Sequence, residues 1–132
     1  MSTTVLKFLL AAISVVAFLF STILPAYPAD EKVLRHVVLF KFKDSATPQQ
    51  IKQVEDAFRA LPSKIDFIRG FEWGINVSPE NLNQGYTHCF FLTFASDKDR
   101  DAYLVHPAHK EFGKILTPYL DKVTVVDFWA QR

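Results

Sequence analysis

Four histidines and a tyrosine are the side chains of this 132-residue chain best suited to moving a proton near neutral pH: His36, His88, Tyr103, His106 and His109. Imidazole changes charge in the physiological range, so each histidine can act as a general base or acid. A phenol beside one of them can donate a hydrogen bond to a developing oxyanion. Tyr103 and His106 are three residues apart and share one helical face. His109 lies six residues beyond Tyr103 and on an unbroken helix would point about 240° away. Pro107 changes that, because it pushes His106 out of helical geometry and begins a new turn that redirects His109 toward the same side. Taken singly, each residue has a plainer reading. His36 and His88 suit hydrogen-bonded core positions, Tyr103 an amphipathic core position, His106 a helix break, and His109 a solvated first turn. Taken together, they predict a small apolar enclosure in which buried imidazoles need partners or a ligand.

Six elements must position them. Residues 34–43 alternate His36, Val38, Phe40 and Phe42 on one face with Val37, Leu39 and Lys41 on the other, a strand with apolar residues on both sides. Thr47, Pro48 and Gln50 form the start of a helix, and Ile51, Val54, Phe58 and Leu61 make its stripe before Pro62 ends it. Residues 65–77 read as a second strand weakened by Gly70 and Gly74, and 78–85 as a polar turn. Residues 86–95 alternate again, with His88, Phe90, Leu92 and Phe94 on one face and Cys89 and Phe91 on the other. Ser96, Asp97 and Asp99 open a second helix, which Pro107 interrupts and Pro118 ends, and 122–129 form the last strand.

The order βαββαβ predicts an α+β, ferredoxin-like fold, a four-stranded antiparallel sheet with helices on one face and strands one and three side by side in the middle. If those two central strands run parallel, His36 and His88 point to the same face at the same end. The other face would expose Val37, Leu39, Cys89, Phe91, Val126 and Phe128, which predicts a homodimer packed sheet to sheet. Cys89 is expected to be an inaccessible core residue.

Composition limits the alternatives. The chain is 49% apolar and 22% charged, and fifteen basic residues face fourteen acidic ones. No positive field gathers phosphates, so no nucleic-acid partner is expected. One cysteine builds neither an internal disulfide nor a sulfur cluster. The basic start, the apolar run over 8–20, and Ala26 and Ala29 resemble a signal peptide over 1–29, giving an exported domain over 30–132. The alternative is an uncleaved membrane anchor over 8–24.

Arg35-His36-Val37-Val38-Leu39-Phe40-Lys41-Phe42-Lys43, then Gly85-Tyr86-Thr87-His88, then Tyr103-Leu104-Val105-His106-Pro107-Ala108-His109 with Phe112, resemble the stress-responsive A/B barrel domain (Dabb) family of the dimeric α/β barrel superfamily. The likeness runs over about residues 33–129. It implies a homodimer whose two sheets close into a barrel. The five polar positions further resemble those of a polyketide cyclase in that family, which closes a linear chain by intramolecular aldol condensation. That likeness implies catalytic roles for Tyr103 as acid and His109 as base, substrate contacts from His36, His88 and His106, and an enclosure from Phe90, Leu92 and Phe112.

Three functions compete. The first expectation is an exported pocket protein that binds an apolar small molecule without a cofactor. The second is a cofactor-free cyclase or lyase using Tyr103 and His109 on a carbonyl compound. The third is a metal or haem protein, since His106 and His109 with His36 or His88 could supply nitrogens. It ranks last because His-x-x-His is a weak signal and no carboxylate stands at an evident ligand spacing, so no metal ligand is assigned.

Overall fold

A computed structural model describes residues 32–131. The expected leader over 1–29 and the anchor over 8–24 lie outside the described residues. Within them, β1 (Leu34–Phe42), α1 (Pro48–Arg59), β2 (Gly70–Ile75), β3 (His88–Phe94), α2 (Asp97–Val105), α3 (Pro107–Leu116) and β4 (Leu120–Trp129) follow in order, with a single 3-10 turn at Leu61–Ser63. The sheet order is β2-β3-β1-β4 and every neighbouring pair is antiparallel. This is the expected ferredoxin-like α+β arrangement, with the second helix split in two at His106.

The alternation of β1 decides which face is covered. Leu34, His36, Val38, Phe40 and Phe42 are all buried, while the residues between them are only partly so. Across from them α1 lays down Val54 and Phe58, α2 Tyr103, and α3 Phe112 and Leu116. Phe58 stacks on Phe90 with ring centres 4.1 Å apart and meets Phe112 at 4.5 Å. Burial of one such ring contributes about 1.5–3 kcal/mol, so this aromatic knot fixes the helices against the sheet. The start of α1 is set by Thr47, whose hydroxyl accepts from the Gln50 amide while the Gln50 side chain accepts from the Thr47 amide. Thr47→Ala should lower unfolding stability by about 1 kcal/mol, read from a urea midpoint shift at constant slope.

Two expectations change. Residues 65–69 are not strand: Ile65 drops into the core after the 3-10 turn, and β2 begins only at Gly70. A β-carbon at Gly70 would come within 3.1 Å of the Thr93 hydroxyl, so a larger residue there would require Thr93 to shift by a few tenths of an ångström. The central strands are antiparallel, not parallel. A right-handed β1–α1–β2 crossover makes β1 and β2 run the same way, and β3, which returns from β2, must run against both. Phe40 therefore faces His88 and His36 faces Leu92, which puts the two histidines about 13 Å apart along the sheet at ~3.3 Å per residue.

The face away from the helices is open in the protomer, with Val126 at 52% and Phe128 at 44% exposure. Cys89, expected to be inaccessible, is partly exposed on this face, and the burial it does have raises its thiol pKa.

Candidate functional site

The site begins with His36 near the start of β1. It is 4% exposed and turned toward the helices, and its cross-strand partner on β4 is Asp127. His36 Nδ1 and Asp127 Oδ1 are 2.5 Å apart, so the ring N–H points at the carboxylate and Nε2 is left as the free nitrogen. The other carboxylate oxygen of Asp127 accepts from the Arg100 guanidinium on α2. Arg100 also donates through Nε to Asp101 at 2.7 Å. These two carboxylates raise the Arg100 pKa.

Tyr103 comes one helical turn after Arg100. Its ring meets His36 edge to face at 5.6 Å, packs on Phe94 at 5.2 Å, and lies 4.4 Å from the ring of His109. Burial raises the phenol pKa far above its ordinary value near 10, so Tyr103 stays protonated and keeps a hydroxyl proton to donate.

The break at Pro107 sets His109. His106 leaves helical geometry at φ −63° and ψ 138°, and its Nδ1 accepts from the Ala108 amide as the N-cap of α3. The chain then turns so that His109 Nδ1 donates to the Leu104 carbonyl at 3.2 Å, one of the acceptors left open where α2 ends. This contact fixes the tautomer: Nδ1 carries the proton and Nε2 keeps its lone pair. Burial lowers the His109 pKa, and the neighbouring His36 and His106 lower it further against the opposing Leu104 contact. A step that uses neutral His109 should therefore hold its rate above the ordinary imidazole value near 6.5 and lose it only at lower pH. A pH–rate profile whose acidic limb sits above neutrality would contradict this assignment.

His36, Tyr103, His109 and Asp127 line one hollow of about 220 Å³, between β1, β4 and the α2–α3 corner. Val38, Phe40, Phe58, Leu104, Phe112, Leu116, Val123 and Val125 complete its wall. Three of the five expected polar residues thus meet, and two do not. His88 sits at the far end of the sheet, 6% exposed, with Nε2 2.9 Å from Glu55 Oε1 and Nδ1 2.8 Å from the Thr87 hydroxyl. It is a satisfied core histidine, displaced from the hollow by the antiparallel register. His106 serves the backbone as a cap, with its ring edge toward Phe67. Of the expected enclosing residues, Phe112 lines the hollow, whereas Phe90 and Leu92 are wholly buried in the core behind it.

Three residues escaped the sequence reading. For Asp127 the available signal was an acid inside Val123–Trp129, with aliphatic and aromatic neighbours. Arg100 and Glu55 carry no such signal, because a charged residue on a helix is ordinarily solvated. Among the described residues, no group of three or more His, Cys, Asp and Glu side chains is placed to hold a metal ion.

The sequence model described as "Stress responsive A/B Barrel Domain" matches residues 34–130. Stress-response A/B barrel domain-containing protein HS1 of Arabidopsis thaliana is 43% identical over 95 residues, 72% of this chain and 87% of that protein. Olivetolic acid cyclase of Cannabis sativa is 30% identical over 99 residues, 75% of this chain and 98% of the cyclase. Among solved structures, hydroxynitrile lyase from Passiflora edulis superposes with a TM-score of 0.72 at 25% identity, over 76% of this chain and 95% of the lyase. A dimeric ferredoxin-like protein of unknown function from Bacteroides fragilis gives 0.62 at 30% identity, over 74% and 96%.

Proposed function

The chain belongs to the stress responsive A/B barrel domain family, and from that premise we propose that it is an exported homodimer whose hollow takes a small, largely apolar carbonyl compound. In this reading His109 Nε2 removes a proton next to the carbonyl, and the Tyr103 hydroxyl donates to the enolate oxygen that forms. His36, held by Asp127, lines the same wall and orients the substrate. The enolate carbon can then attack a second carbonyl of the same molecule in an aldol-type closure, opening that C=O π bond, and the alkoxide so formed takes back the proton from His109 Nε2. The observation that carries the reading is the His109–Leu104 hydrogen bond, which leaves a neutral imidazole with its lone pair free beside a phenol that stays protonated.

Dimerisation is supported by the open apolar face bearing Val126 and Phe128 and by the dimeric relative from Bacteroides fragilis. Catalysis is supported by the olivetolic acid cyclase and hydroxynitrile lyase among the similar proteins. Export rests on the leader pattern over 1–29.

The test is exchange of the protons next to the carbonyl of a methyl ketone in deuterated water, followed by NMR. Protein-dependent exchange, lost in the His109 variant, is the expected result; exchange no faster than buffer would defeat the catalytic reading. Binding without turnover is the second reading, and one observation favours it. A hollow of about 220 Å³ is smaller than the ~300 Å³ at which small-molecule sites usually begin, leaving little room for a chain to fold on itself. There Tyr103→Phe would leave ligand affinity intact and no exchange would be seen.

A further inference from the structure

From the charges around the hollow we infer that its ligand enters as a neutral ketone, aldehyde or ester, and that carboxylates are excluded. This inference rests on the proposed use of the hollow for a carbonyl compound and narrows it.

Asp127 is the one formally charged residue on the described wall. The cation bonded to it, Arg100, has its charge met by two carboxylates, those of Asp127 and Asp101. The three groups together carry one net negative charge, which a proton on His36 would at most cancel. The remaining polar residues bring no compensation. His109 is held toward its neutral form by burial, and its ring N–H is spent on Leu104. Tyr103 offers a single hydroxyl.

A carboxylate entering here would lose its water to Val38, Phe40, Phe112, Val123 and Val125 without gaining a cation, and it would face Asp127. A neutral carbonyl oxygen asks only for a donor, which the Tyr103 hydroxyl can supply. The apolar wall then favours the rest of the molecule.

The experiment compares methyl hexanoate with hexanoate, read by the shift of the His109 imidazole signals at about pH 8, where the acid is fully ionised. The ester should bind at least about tenfold more tightly than the acid. Leu104→Lys adds a cation at the rim, where the side chain is 42% exposed and the backbone carbonyl that holds His109 is kept. In that variant hexanoate should gain about fivefold, more than any gain for the ester. Equal or tighter binding of hexanoate to the unaltered protein would overturn the inference while leaving the hollow as a binding site. Failure of Leu104→Lys to improve hexanoate binding would overturn charge as its cause. If neither compound moves the His109 signals, the binding reading itself falls, and this inference with it.

Discussion

Tyr103→Phe should lower kcat/KM for enolisation by about 10²–10³-fold, the usual effect of removing one donor to a developing oxyanion. The loss should fall on kcat, because the hydrogen bond strengthens as charge moves onto the oxygen and is weak in the ground state. Stability should change little. The Tyr103 ring, 1% exposed and packed against His36, Phe94 and His109, is retained in phenylalanine. The variant therefore separates chemistry from folding. Ligand affinity within a few-fold of the unaltered protein, an unchanged thermal midpoint and collapsed turnover are the expected set. Turnover equal to that of the unaltered protein would remove Tyr103 from the mechanism.

His109→Ala should cost about 10²–10⁴-fold, the range for loss of a positioned general base. His109 lies on the first turn of α3 and is half-buried, so its truncation removes no packed core ring. Added imidazole should restore part of the rate by occupying the space the side chain leaves, whereas a purely structural role would not respond. The acidic limb of the pH–rate profile should also disappear, because the group that titrates there is gone. Persistence of that limb in His109→Ala would assign it to another residue.

Much of this architecture is written in local pattern. The period-two alternation around His36 and His88, the Thr47-Pro48-Gln50 start of α1 and the Pro107 break are decided by neighbours in the chain. The redirection of His109 was legible for the same reason, since a proline acts on the residue before it and on the turn it opens. What failed was non-local. Whether β1 and β3 run parallel is settled by the type of each connection, a crossover from β1 to β2 and then a direct return from β2 to β3, and not by any residue in either strand. That sign error carried His88 into the wrong end of the sheet. The partners of the histidines were hidden similarly. Asp127 reaches His36 across 91 positions of sequence, and Glu55 reaches His88 across 33. Such pairs exist only once the register is set. Phe90 and Leu92 were placed on the correct face, yet lie too deep to touch the hollow, because a period-two pattern gives the side of a sheet and not the depth beneath a helix.

The proposed chemistry turns on the state of one imidazole. Nitrogen NMR of the labelled protein at neutral pH reports directly which ring nitrogen of His109 carries the proton. The geometry predicts a neutral ring protonated at Nδ1, with Nε2 showing the signal of a bare acceptor that shifts when a ketone is added. A ring protonated at Nε2, or a charged imidazolium at neutral pH, would contradict it and leave the hollow without its base.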